Sequence, residues 1–214
     1  MIEMCNVTKI LNKKRVLDNI SYVFEEGMVY GLHGVNGSGK TMILRALAGL
    51  IVPTDGAVLW NGKKLHEEIS FPGNTGLVIE NMELLPRYTA RENLTFLSKI
   101  KNRADAGDIE NALKRVGLGH AMDMKVKKYS LGMKQRLNIA QAIFEKQDLI
   151  LLDEPTNALD DEGVLQIYDI IREEKQRGAT VVIATHHKED LKKTCDVLLN
   201  IAHGEILSEA EKEI

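Results

Sequence analysis

The sequence predicts an α/β fold organised on a parallel sheet, and three features of its 214 residues carry that prediction. Short apolar runs at residues 28–32, 149–152 and 181–184 suit strands covered on both faces. Segments with apolar residues at helical spacing alternate with those runs, as crossover helices do in parallel sheets. A glycine-rich turn at residues 34–41 separates the first run from the helix after it.

Each element follows in order. Residues 16–24 alternate in part between apolar and polar side chains, and Gly27 punctuates the chain before the buried strand 28–32. Residues 41–50 place Ile43, Leu44, Leu47 and Leu50 at helical spacing, with Gly49 near the end. Residues 57–60 and 63–65 flank Asn61-Gly62, a dipeptide that accepts the positive φ of a type I′ hairpin turn. From about residue 81 to 142 the pattern turns helical, with helices at 90–99, 108–116 and 131–144 and breaks at Pro86, Gly107 and Gly117. A buried strand at 148–153 then leads to a helix capped by Asp160, with Asp161 and Glu162 in its positive first turn and Gly178 after its end. The buried strand 180–184 follows, and no internal repeat or low-complexity linker interrupts the chain.

Composition narrows the function. Hydrophobic residues make up 44% and charged residues 28%, the balance of an ordinary globular domain. A net charge of −3 argues against a dedicated nucleic-acid binder, which carries a basic excess. Cys5 and Cys195 lie far apart, which points to reduced thiols rather than a disulfide framework or a thiolate metal site. No apolar run approaches the roughly 18–20 residues of a membrane span. The N-terminal stretch MIEMCNVTKI lacks the features of a secretory signal, so a soluble, cytoplasmic chain is expected. The basic clusters at 12–15 and 125–128 are not interleaved with aromatic residues and read as solvated faces.

The chemistry concentrates in two places. GVNGSGKT, residues 34–41, satisfies G-x-x-x-x-G-K-[ST] between a predicted strand and a predicted helix. Gly34, Gly37 and Gly39 let the backbone wrap closely and aim amides at phosphate oxygens, assisted by the positive end of the helix. Lys40 reaches the β- and γ-phosphates in this arrangement, and the Thr41 hydroxyl is placed to ligate Mg²⁺. Asn36 and Ser38 within the turn, and Met42 after it, complete the set of candidate nucleotide contacts. A glycine-rich surface turn is the plainer alternative, and both flanks speak against it. The second place is DLILLDEP, residues 148–155, where a buried strand delivers Asp153 and Glu154 to its carboxyl end. Asp153 is the candidate Mg²⁺ holder, through water, and Glu154 the group that polarises the attacking water. No Asn-Lys-x-Asp guanine reader occurs, which favours ATP.

YSLGMKQRLNIAQAIF, residues 129–144, decides the class: the sequence resembles the ATP-binding subunits of ABC transporters, in the bacteriocin and multidrug exporter style. By itself the stretch is an amphipathic helix capped by Ser130. Under the resemblance, Ser130 and Gly132 match the family's signature turn, which closes on the ATP held by a second subunit. NALD, residues 157–160, matches the loop that crosses the dimer interface, with Asp160 a candidate contact. His186 matches the switch histidine that meets the γ-phosphate, with His187 as its neighbouring competitor; His33, His66, His120 and His203 receive no role. The implied fold is a RecA-like P-loop NTPase core with an N-terminal antiparallel β subdomain and an inserted helical subdomain. Residues 1–80 and 143–214 would form the core and residues 81–142 the helical part, together one domain over 1–214.

The resemblance also implies hydrolysis of ATP with Mg²⁺, a second ATPase subunit in a head-to-tail homo- or heterodimer, and a separate membrane permease. Export is the expected direction, with the chain peripheral on the inner face of the cell membrane. A soluble non-transport ABC ATPase, or an ATP-gated regulatory module with little turnover, are the alternatives. Departures from the family pattern are Leu131 for the first signature glycine, Met133 for the glutamine, and Glu80 for the glutamine that links the Mg²⁺ site to the permease, where the anionic side chain is a candidate direct Mg²⁺ ligand. Leu11 stands where an aromatic residue would stack on adenine, giving apolar contact worth about 0.5–1.5 kcal/mol less than a stack.

Overall fold

The computed structural model describes residues 1–79 and 83–211. The chain opens with two long antiparallel strands, β1 (Ile2–Leu11) and β2 (Lys14–Phe24), before the central strand β3 (Val29–His33) and helix α1 (Lys40–Leu47). Strands β4 (Asp55–Trp60) and β5 (Lys63–Lys64) form the expected hairpin, with φ of 49° at Asn61 and 76° at Gly62. Strand β6 (Thr75–Val78) precedes helices α2 (Ala90–Lys101), α3 (Ala106–Arg115) and α4 (Leu131–Ile143). Strand β7 (Leu149–Asp153), helix α5 (Asp161–Gln176), strand β8 (Thr180–Thr185), helix α6 (Lys188–Thr194) and strands β9 (Val197–Ala202) and β10 (Glu205–Glu211) complete the order.

Two sheets result. One is antiparallel in the order β2-β1-β4-β5, and the other runs β10-β9-β3-β8-β7-β6. In the second, β6, β7, β8, β3 and β9 run parallel and only β10 turns back. The apolar runs are explained by burial on both faces of this sheet. Leu149, Leu151, Val182 and Ala184 face a core shared with α1 and the antiparallel sheet. Ile150, Leu152, Val181 and Ile183 face a second core with α4 and α5.

Caps fix the helices that matter for the site. The Ser130 hydroxyl accepts from Met133 N at 3.2 Å to start α4, and the Asp160 carboxylate accepts from Gly163 N at 3.0 Å to start α5. Thr89 and Glu92 form a capping box on α2.

Four strands escaped the sequence pattern for physical reasons. In β1 the alternation slips between Met4 and Val7, where Asn6 takes φ 49° opposite a matching bend at Asn19, φ 49°. Strand β6 is four residues long, and a side chain at its Gly76 would collide with the Ala142 carbonyl of α4. Strands β9 and β10 are joined by the two-residue turn His203-Gly204, with φ 52° and 82°.

Register sets the functional edge. Asp153 lies level with Ala184 across β7 and β8, and Thr185 lies level with His33 across β8 and β3. The carboxyl ends of three central strands therefore finish together, the edge at which open α/β sheets bind ligands.

Candidate active site

A cavity of about 630 Å³ occupies that edge, within the range of small-molecule sites. Its lining joins the phosphate-loop residues Asn36, Gly37, Gly39, Lys40, Thr41 and Met42 to Asp153, Glu154, Asn157 and His186. Lys14, Arg15, Val16, His203 and Gly204 line it as well.

The loop between β3 and α1 owes its shape to glycine. Gly37 and Gly39 take φ of 79° and 115°, which side-chain-bearing residues rarely adopt. A Cβ on Gly34 would strike the Ile201 carbonyl and approach the Ser38 hydroxyl to 2.7 Å. Ser38 is buried inside the turn rather than on the cavity wall, and its carbonyl accepts from Gly204 N at 2.8 Å. Lys40 is buried, with its ammonium donating to the carbonyls of Gly34 at 2.6 Å and Val35 at 3.2 Å. That amine therefore binds carbonyls of its own loop.

Opposite the loop, the Thr41 hydroxyl donates to Asp153 Oδ2 at 2.6 Å. One hydroxyl and one buried carboxylate so close form a pair of hard oxygen donors, the chemistry that suits Mg²⁺. Glu154 sits one residue on, in the left-handed region at φ 46°, which turns its side chain back toward β8. Its carboxylate receives three donors: His186 N at 3.1 Å and His186 Nδ1 at 2.7 Å on Oε1, and the Thr185 hydroxyl at 2.6 Å on Oε2. A carboxylate only accepts, so Nδ1 of His186 carries the proton in this pair.

Other expected site residues lie elsewhere. Ser130 and Gly132 begin α4 outside the cavity lining, and a Cβ on Gly132 would stand 2.8 Å from the Ala158 carbonyl. Asp160 is spent on its cap and on Arg136 at 3.4 Å. The two places are tied together: Gln135 of α4 donates to the carbonyls of Glu154 at 3.3 Å and Pro155 at 3.0 Å. Leu11 pairs with Lys14 at the hairpin tip and is absent from the lining. Glu80 lies outside the described residues.

The cluster 12–15 is exposed, as a solvated face is, and Lys14 and Arg15 also line the cavity, the Arg15 guanidinium being oriented by two bonds to Asp18 at 2.8 and 2.9 Å. His203 and Gly204 had no signal in the sequence, because a backbone lattice places them there: Gly204 O accepts from Asp18 N at 2.9 Å while Gly204 N donates to Ser38 O.

Known proteins are similar to this chain in sequence and fold. The model of the ABC transporter family matches residues 17–157. An uncharacterised ABC transporter ATP-binding protein of Bacillus subtilis, YybJ, is 59% identical over all of this chain and 98% of its own. The lantibiotic transport ATP-binding protein SrtF of Streptococcus pyogenes is 33% identical, covering 99% of this chain and 91% of its own. The bacitracin transport ATP-binding protein BcrA of Enterococcus faecalis is 34% identical over 98% of this chain and 68% of its own. A dimeric bacterial ABC transporter cassette, MJ0796, superposes with a TM-score of 0.92 at 26% identity over the whole of both chains. The same cassette solved as a dimer with ADP and Pi superposes at 0.89. With the family model, the full-length relatives and the RecA-like cassette fold in agreement, this chain belongs to the ATP-binding proteins of ABC transporters.

Proposed function

We propose that the chain hydrolyses ATP in a head-to-tail dimer and uses the resulting closure and reopening to drive a separate membrane permease, in the export direction. The observation that carries the hydrolytic part is the arrangement of Glu154 beside the phosphate loop, its carboxylate held by three donors and therefore fixed in direction. A base so held can orient a water without reorganising during the reaction.

In this reading the γ-phosphate enters at Lys40, whose amine leaves the Gly34 and Val35 carbonyls for phosphate oxygens. Glu154 aligns a water and accepts its proton as the water oxygen bonds to phosphorus. The bond from phosphorus to the bridging oxygen breaks, leaving ADP and inorganic phosphate. Mg²⁺ bound by Thr41 and Asp153 would supply charge neutralisation on the phosphate oxygens. His186 Nδ1 would pass from Glu154 to the phosphate when ATP arrives, leaving the Thr185 hydroxyl and His186 N to hold the carboxylate through the chemical step. Ser130, Gly132 and Asp160 would complete the site of the facing subunit, which fits their placement outside their own chain's cavity.

Residues 81–142 would act as a helical subdomain inserted in the core formed by 1–80 and 143–214. Leu85, Tyr88, Phe96 and Ile100 leave apolar surface exposed there, suited to a permease segment. Among the described residues no helix is long and apolar enough to cross a membrane, so membrane attachment would come from that partner. Relatives named for lantibiotic and bacitracin transport support a transporter role.

The test has two arms. Phosphate release is measured for the purified chain and for Glu154→Gln, and the tagged chain is recovered from gently solubilised native membranes. Turnover lost in the variant, with a stoichiometric multi-span protein co-purifying, supports the proposal. Recovery only from the soluble fraction overturns the transporter part, and equal turnover removes Glu154 from the chemistry.

A further inference from the structure

Beside the oxygen-rich Thr41–Asp153 pair, the same edge holds a second cluster of different chemistry. One ligand atom each from Glu154, His186 and His187 lies within 4.8 Å of the others. The two imidazoles stack at 3.9 Å between centroids with a tilt of 39°. We propose that Glu154, His186 and His187 form a binding site for a divalent transition-metal ion of the zinc type, and that its occupancy holds the ATPase off.

Three observations support the assignment. Two imidazoles and one carboxylate make a three-ligand set that leaves a fourth position for water, as open zinc sites do. Around one ion with bonds of about 2.0–2.1 Å the donors lie about 3.4 Å apart, and the three ligand atoms here lie within 4.8 Å of one another, with His186 Nδ1 and Glu154 Oε1 at 2.7 Å. An outer layer is already present: the buried Thr185 hydroxyl donates to Glu154 Oε2 at 2.6 Å and accepts from His187 N at 3.1 Å. One side chain thus orients the carboxylate and the segment that carries both histidines, as outer partners of metal ligands do.

Selectivity follows from ligand type. Imidazole favours zinc, copper and nickel over magnesium, whereas the hydroxyl and carboxylate of Thr41 and Asp153 favour magnesium. The two ions would therefore take different sites a few side chains apart. The consequence is inhibitory, because the ion engages Glu154 and His186 together. A carboxylate bound to such an ion cannot take a proton from water, and an imidazole bound to it cannot turn to a phosphate. His187 distinguishes this site from the hydrolytic set, since it is absent from the cavity lining.

The proposal is tested on the untagged, full-length chain without nucleotide, using Co²⁺ as a spectroscopic probe and Zn²⁺ as its competitor. One equivalent of Co²⁺ should develop the visible absorption of a four-coordinate ion, and Zn²⁺ should abolish it. His187→Asn and His187→Gln should weaken binding by about 10–100-fold or more, the scale set by losing even an outer partner, while His120→Asn leaves it unchanged. Mg-ATP binding retained by both His187 variants shows that they are folded. In a second arm, the Zn²⁺ concentration that halves ATPase turnover should rise by a similar factor in those variants, each measured against its own metal-free rate. Wild-type protein that develops no four-coordinate spectrum, or variants that bind Co²⁺ as tightly as wild type, would overturn the site. The inhibitory consequence rests on the hydrolytic reading above. The Co²⁺ arm requires no turnover, so its failure is distinguishable from a failure of that reading.

Discussion

The edge of the parallel sheet and the start of α4 both offer groups suited to anions, yet the chain completes only one of them. At the sheet edge, Lys40, Thr41, Asp153, Glu154 and His186 surround one cavity; Thr41 is bonded to Asp153, His186 to Glu154, and Lys40 to the carbonyls of its own loop. At the start of α4, the Ser130 hydroxyl is occupied by its own helix, and Leu131 beside it is 73% exposed. Rigid strand ends preorganise groups that must act within one chain. An exposed helix start presents groups whose use depends on something brought to them. Under the proposed function the first region would govern chemistry and the second assembly, and variants can separate the two.

The largest effect is expected from Glu154→Gln, which keeps the shape and one acceptor but removes the base. Turnover should fall by about 10²–10⁴-fold, the contribution of a positioned general base, while ATP binding persists. Single-turnover phosphate release against equilibrium ATP titration measures both, and loss of binding with unchanged chemistry would contradict the division.

Subunit mixing addresses the division directly. Lys40→Ala and Ser130→Ala should each be inactive as pure dimers. Mixed, they form dimers in which one site takes Lys40 from one chain and Ser130 from the other, so turnover should return. Lys40→Ala mixed with Glu154→Gln should show no recovery, because both residues serve the same chain's cavity. No recovery in the first mixture would show that the α4 start does not act across an interface, and recovery in the second would show that Lys40 and Glu154 do not serve one chain's site.

A smaller effect belongs to the contact that joins the two regions. In Gly132→Ala the new methyl would stand 2.8 Å from the Ala158 carbonyl, a backbone atom that cannot turn aside as a flexible side chain would. The backbone shift should cost about 1–3 kcal/mol. A thermal melt of the nucleotide-free chain reads this, and an unchanged melting temperature would show that the loop at Ala158 yields freely.

How much of this was legible in the sequence follows the same division. The edge was readable because its parts are contiguous motifs at the ends of apolar runs: residues 34–41 and 148–155 announce both their position and their chemistry. Ser130 was equally readable as a helix cap, which is its observed bond, while its role across an interface came only from the family resemblance. What the sequence hid is what register creates. His203 and Arg15 are 188 residues apart and meet one cavity because Gly204 is stitched to both Asp18 and Ser38. Glu154 was legible as a carboxylate but not as a residue in the left-handed region, and that turn is what brings it to His186.

The smallest effect expected concerns the end of the cavity away from the carboxylates. If phosphates sit at Lys40, the sugar and base of ATP would extend toward Lys14, Arg15, Val16 and His203, which also line the cavity. The Arg15 guanidinium is anchored through Nη1 to both carboxylate oxygens of Asp18, and a guanidinium or imidazole face can stack on a base where no aromatic residue stands. His203→Ala should therefore weaken ATP binding by about three- to tenfold, the value of one modest polar or stacking contact. Leu11→Ala should change it by less than about twofold, as an exposed position off the lining would. Calorimetric titration with ATP, and with a triphosphate of another base, checks both variants. If Leu11→Ala costs more than His203→Ala, adenine lies against the hairpin tip as the family pattern implies, and the β9–β10 turn serves only to brace the phosphate loop.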